Sequence, residues 1–227
     1  MERWPSNLGL IAVDNLLVKF ILPLGLVGFC EQAQRMNIGL LNYFKLDSIF
    51  WSIGSFLFLD FAIYLQHILS HKWKFFWRFH RVHHSDTDLD LTSGLRFHPG
   101  EILISTFYKM IIVLLLGISP NTFLVFEIVL NTMAMFNHSN IFLPSTIEPY
   151  LRKLIVTPQM HIVHHSVLKC DSDKNFGFNL SLWDRFFKTY AKNFSSTDQI
   201  GQKGLESADD QPFFKLVIQP FQKEFHE

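Results

Sequence analysis

"FHRVHHS" (residues 79–85) and "MHIVHHS" (residues 160–166) place the same polar triplet twice in a chain otherwise rich in Phe, Leu and Ile. They supply His80, His83 and His84, then His161, His164 and His165. "HILSH" adds His67 and His71 at i and i+4, one face of a helix, and "FNHSN" adds His138. Nine of the eleven histidines therefore belong to a patterned set. Spacings of three and four put each triplet on one helical stripe, and helices so arranged converge their imidazoles on one point. By template counting, two such triplets fall together in fewer than roughly one in a thousand chains of this composition. Imidazoles clustered at a membrane boundary are costly without a partner, so the pattern reads as metal binding.

The surrounding chain reads as a membrane protein of one domain. It has 227 residues, 48% of them hydrophobic, with 25 Phe and a mean hydropathy of +0.17. Formal net charge is zero, which gives no reason to expect a nucleic-acid partner. Cys30 and Cys170 match no zinc-knuckle or disulfide spacing. No secretory signal pattern is expected before the first apolar run, because a small-residue cleavage site is missing.

Four stretches approach the ~17–25 residues of a spanning helix. The first, 8–29, is interrupted by Asp14, Asn15 and Lys19. The others are 48–65 with Asp60, 102–118 with Lys109, and 121–136 with Glu127. Only Ser119 and Pro120 separate the last two, so they read as a helical hairpin. Segments 66–101 and 137–227 then share one side of the membrane. That side carries Lys72, Lys74, Arg78, Arg81, Arg96, Arg152 and Lys153, whereas the turn at Ser119–Pro120 is uncharged. The positive-inside bias makes it the cytoplasm, and every histidine lies on it or at a helix end facing it. The expected architecture is an all-α integral-membrane bundle of about four spans with a cytoplasmic helical cap carrying a dimetal site. Its parts are an N-terminal segment (1–47), a histidine-bearing membrane domain (48–190), and a polar linker with a tail (191–227), the tail ending in a second apolar run that folds back or touches the membrane surface, followed by an inert His226.

Nine imidazoles are too many for one ion and suit two, at four or five each. Imidazole accepts zinc, copper, iron and nickel, so ligand type alone does not select the metal. The sequence lacks HExxH, which weakens a metalloprotease reading.

The motifs HxxxH, HxxHH and HxxHH between paired spans resemble the membrane fatty acid hydroxylase and sterol desaturase superfamily. "RFHPGE" (96–101), "NHSN" (137–140), "TPQMHIVHH" and "NFGFNLSLWDRFFKTY" extend the resemblance over residues 50–190. Phe176 and Lys188 depart from the Tyr and Gly frequent there. The resemblance implies a non-haem diiron enzyme that uses O2 and two electrons to hydroxylate or desaturate a lipid, sterol or fatty acyl carbon. On that footing the nine histidines are the iron ligands. No flavin, haem or iron–sulfur module is recognisable, so a separate donor is implied: a cytochrome b5-like protein, a ferredoxin or a rubredoxin.

Around the ligands, Arg96, His98, Glu101 and Asp60 are candidates to orient the imidazoles, since outer carboxylates fix a histidine tautomer by accepting its other N–H. His98 lies in an "HPGE" like the haem-binding motif of cytochrome b5, but a membrane span follows it directly and leaves no room for that domain. "DTDLD" (86–90) lacks the Gly and distal Glu of a calcium loop and reads as a solvated loop. Two further readings stand beside the oxygenase: a non-catalytic metal-binding membrane protein, and a hydrolase using zinc-bound water, for which no general base is obvious.

Overall fold

The computed structural model describes residues 3–205 and 207–222; His226 lies outside them. The fold is all-helical, and among the described residues the only β pairing is two isolated bridges. The elements are α1 (Trp4–Ile21), α2 (Gly25–Arg35), α3 (Leu40–Tyr43), α4 (Ile49–Lys72), α5 (Lys74–His84), α6 (Pro99–Leu116), α7 (Pro120–His138), α8 (Glu148–Leu151), α9 (Pro158–His164), α10 (Lys169–Ser172), α11 (Leu182–Phe186) and α12 (Phe213–Ile218).

Local chemistry sets the ends that matter. His98 caps α6 by accepting from the Gly100 amide, with Pro99 at the first helical position, where its missing N–H costs nothing. At the other end Gly117 adopts φ 73°, a left-handed stop, and Ser119 caps α7 by accepting from the Thr122 amide. The expected α6–α7 hairpin therefore forms. Gly39, at φ 96°, lies against this turn so closely that a Cβ would collide with the Gly117 backbone.

Four passes run along the bundle. Arg3, before α1, meets Asp86 and Asp90 at the histidine end, while Gly39, after α2, meets Gly117 at the far end. α1 and α2 together thus follow the whole of α6. The apolar segment expected at 8–29 is not one helix: α1 stops at Ile21, ahead of Pro23, and α2 restarts at Gly25. Three segments are long and apolar enough to cross a membrane, Trp4–Tyr43, Ile49–Lys72 and Pro99–Leu116. α7 is not among them, because Asn121, Glu127, Asn131 and Asn137 dilute its apolar content. The far end also carries Lys45, on the connector into α4.

The core lies between α2, α4, α6 and α7, where Leu59, Ile112, Val113, Ile118, Phe123 and Phe126 are buried with Cys30 and Ala33. The same helices turn Phe50, Leu115 and Ile128 outward. Helices apolar on both faces, with most of that surface uncovered, suit a lipid surround. Lys109 of α6 donates to Glu127 of α7 at 2.7 Å, so the two charges that interrupt these helices neutralise one another.

The tail folds back. α12 packs on α1, and Leu216 is buried with Leu10 and Val82. The segment after Ala191 is mostly exposed, as expected of a solvated linker, and is tied down at two points: Gly201 donates its amide to the His165 carbonyl, and Asp171 accepts from Ser195. Replacing Lys109 by Met leaves Glu127 uncompensated and is expected to destabilise the bundle by about 3 kcal/mol, whereas a K109M/E127L pair recovers most of that loss. Thermal melting of the three proteins in one detergent checks the order.

Candidate metal centre

Four elements deliver the imidazoles. α4 ends its pass with His67 and His71 one turn apart, and the chain breaks at the extended Trp73 before re-entering as α5 with His80, His83 and His84. His138 is the last residue of α7. α9 is capped by Thr157, which accepts from the Met160 amide, and brings His161 and His164, with His165 just beyond its end. All nine are buried.

They form two groups: His67, His71, His80, His84 and His164, and separately His83, His138, His161 and His165. Within each group the ring nitrogens lie within 4.8 Å of one another. The expectation that each triplet shares one stripe is corrected here. At 100° per residue, i and i+4 differ by about 40° while i+3 turns to the other side of i. So His80 and His84 enter the first group and His83 the second; in the later triplet His161 and His165 enter the second group and His164 the first. Each triplet serves both groups.

The hydrogen bonds behind the rings fix which nitrogen faces inward. Nδ1 of His67 donates to the Phe176 carbonyl (2.8 Å), of His83 to the Arg96 carbonyl (3.2 Å), of His138 to the Ala134 carbonyl (2.7 Å) and of His164 to the Lys174 carbonyl (2.7 Å). Nδ1 of His80 donates to Glu101 at 2.7 Å. A neutral imidazole has one N–H, so each of these rings presents a bare Nε2 lone pair. Yet His67 Nε2 lies 3.1 Å from His80 Nε2, and His83 Nε2 lies 3.1 Å from His138 Nε2. There is one such pair in each group. His164 Nε2 is buried with no partner. Two lone pairs at this distance repel unless a cation lies between them, and two nitrogens about 2.1 Å from one ion at right angles sit roughly 3 Å apart. The donor set fits two metal ions. Burial, followed by the neighbouring imidazoles, holds His83, His84, His161 and His165 well below the ordinary histidine range, so these rings stay neutral. Burial pushes His164 down to about 3.

The four supporting candidates divide. Glu101 touches a clustered imidazole directly, as does the carbonyl of Arg96. The Arg96 guanidinium is fully buried and donates to Val82 O, Ser85 Oγ and Gln211 Oε1, tying α5 to the tail. Asp60 accepts from Trp183 Nε1 at 2.8 Å and anchors the 175–189 segment to α4. His98 holds the α6 cap and pairs with the Val217 carbonyl, away from the imidazoles. "DTDLD" is less solvated than the sequence suggested: Asp86 is fully buried against Arg3 and Arg96, because those two cations need a counter-charge there. Asp184 went unnoticed in the sequence. It accepts from the Phe176 and Gly177 amides (both 2.8 Å) and from Thr189, holding the loop whose carbonyls receive His67 and His164. A lone Asp in an aromatic-rich stretch gives no local signal of that role.

A cavity of about 300 Å³ between α1, α4, α6 and α7 reaches His67 and His80. A second, of about 420 Å³, reaches His71 and His84 from the basic side, past Lys72, Trp77 and Lys169.

Removing the Glu101 carboxylate (Glu101→Ala) is expected to lower metal affinity about 10–100-fold, with Glu101→Gln intermediate, as read by chelator competition. Acid is expected to act through the same imidazoles. The unfolded chain takes up protons near pH 6.5 and these folded imidazoles do not, so they cost the metal-free fold nothing above that pH. Below it, stability falls by up to about 1.4 kcal/mol per imidazole per pH unit, until the folded rings themselves protonate, for His164 near pH 3. In melting curves of the chelated protein from pH 7 to pH 4, roughly the span below the free histidine value, the midpoint should fall as the pH drops.

The fatty acid hydroxylase family model matches residues 52–189. An ornithine lipid hydroxylase from Rhizobium tropici is 31% identical over 166 residues, covering 72% of this chain and 48% of that protein. The alkylglycerol monooxygenase of Homo sapiens is 32% identical over 146 residues (63% and 31%), and the cholesterol 25-hydroxylase of Rattus norvegicus 30% over 135 residues (59% and 44%). The chain thus spans half or less of the length of these relatives. No solved structure matches it. The matched stretch contains all nine clustered histidines and the loop that orients them, and the chain belongs to the fatty acid hydroxylase family.

Proposed function

We propose that this protein is a membrane-bound, O2-dependent lipid hydroxylase whose two histidine groups hold two iron ions, fed with electrons by a separate carrier protein. The observation that carries this reading is the pair of facing Nε2 lone pairs, one in each group, with the outer nitrogens already committed. Such a pair of ions supplies the O2 activation that an unactivated C–H bond requires. Imidazole suits iron, and the three relatives named above carry hydroxylase or monooxygenase names, which favours hydroxylation over desaturation.

The chain's own residues bind, orient and exclude water. The cavity that opens on His67 and His80 lies among the membrane helices, so a lipid reaches the site from the bilayer without passing through water. Phe176 packs its ring 5.6 Å from His67, 5.1 Å from His71 and 5.5 Å from His164 and so covers one side of the first group. Glu101, the Arg96 carbonyl and the loop held by Asp184 keep the imidazoles in one tautomer, ready as ligands. Over the whole reaction one atom of O2 enters the C–H bond and the other leaves as water, using two electrons delivered one at a time by the carrier and two protons from the surrounding water. Lys72, Lys74 and Lys169, beside the cleft that reaches His71 and His84, favour an acidic carrier such as a cytochrome b5-like protein, ferredoxin or rubredoxin. The charge bias of this end supports a cytoplasmic orientation.

Metal analysis joined to donor-driven O2 uptake on added lipid tests the reading. The expected result is two irons per chain and a product heavier by one oxygen atom. A single zinc with no O2 uptake would return the protein to the hydrolytic or storage readings.

A further inference from the structure

Resting on the lipid-hydroxylase reading, we propose that Asp14 and Glu101 form a receptor for a protonated amine, and that the substrate is a lipid carrying an amino group close to the carbon that is oxidised. Both residues line the cavity that reaches His67 and His80. Asp14 is 6% exposed and Glu101 8%, and each keeps one carboxylate oxygen, Asp14 Oδ1 and Glu101 Oε2, buried with no hydrogen-bond partner. The two interact electrostatically across the α1–α6 contact. Lys109, Asn15 and Asn131, which line the same cavity, donate elsewhere: to Glu127, to the Ile11 carbonyl and to the Glu127 carbonyl. Two orphaned carboxylate oxygens in a membrane interior are costly unless a ligand supplies donors.

An ammonium has three N–H donors and a positive charge, so a single group serves both oxygens and offsets their charge; a hydroxyl has one donor and no charge. The position is equally informative. Glu101 Oε1 already receives His80 Nδ1, so its free oxygen lies one imidazole away from the nitrogen that faces the first group. A group held there keeps its own end of the lipid beside the site, while the tail extends past Val18, Leu26 and Leu130. Asp14 falls outside the stretch matched by the family model, so this contact belongs to the chain's N-terminal helix and not to the shared metal-binding scaffold.

Binding is measured on the full metal-loaded chain without O2, using dodecylamine, dodecanol and dodecanoic acid as probes. The expected result is tightest binding of the amine, lost by about tenfold or more in Asp14→Asn, with dodecanol unaffected. Asp14→Glu, which keeps the charge, is expected to retain the amine preference, and a melting point equal to the native one for either variant excludes misfolding as the cause. Equal binding of amine and alcohol by the native chain, or an unchanged amine affinity in both variants, overturns the receptor even if lipid hydroxylation proceeds. Amine preference without any O2 uptake leaves the receptor standing and removes the hydroxylase reading instead. In turnover, hydroxylation close to the amino group supports the placement, and hydroxylation only near the far end of the tail overturns it.

Discussion

Two imidazole nitrogens that face each other with their lone pairs bare cannot rest in a dry interior unless something positive joins them. That constraint governs the architecture of this protein. It explains why α4, α5, α7 and α9 converge at one end of the bundle, and why so many backbone carbonyls there are turned toward ring nitrogens. Carbonyls of Ala134, Lys174 and Phe176 serve as tautomer locks. Two of them are placed by something further out: Ala134 by the last turn of α7, Phe176 by the amide contacts of Asp184.

The membrane helices perform a second task with the same residues. α4 is at once a lipid-facing span, a wall of the core through Leu59 and Ile63, and the carrier of two imidazoles. α6 joins a lipid-facing surface to Glu101 in its first turn. Polar function is thereby confined to one end of the bundle, apart from the Lys109–Glu127 pair and Asp14, which lie deeper. Charges so placed are expensive in lipid, and they line a shared hollow instead of facing the bilayer.

Much of this was legible in the residues because metal binding demands repetition. Two HxxHH triplets and an HxxxH pair are visible without a structure, and the hairpin between α6 and α7 was announced by Ser119 and Pro120. The division of each triplet between two groups was not visible, since a spacing shows which residues are near one face but not where the partner helices sit. Asp60 shares a helical face with His67, yet it meets Trp183, because a contact from a segment 123 positions away decided the matter. The buried role of Asp86 was hidden likewise: its partners Arg3 and Arg96 come from outside the loop.

The crossed allocation of the two triplets has a mechanical result. Since α5 and α9 each feed both groups, no rigid-body shift of either helix can loosen one group and spare the other. The pair of groups behaves like a dovetail joint, keeping its internal spacing until the whole is prised open. Variation is then free to accumulate in the walls of the hollow without disturbing the spacing of the two groups.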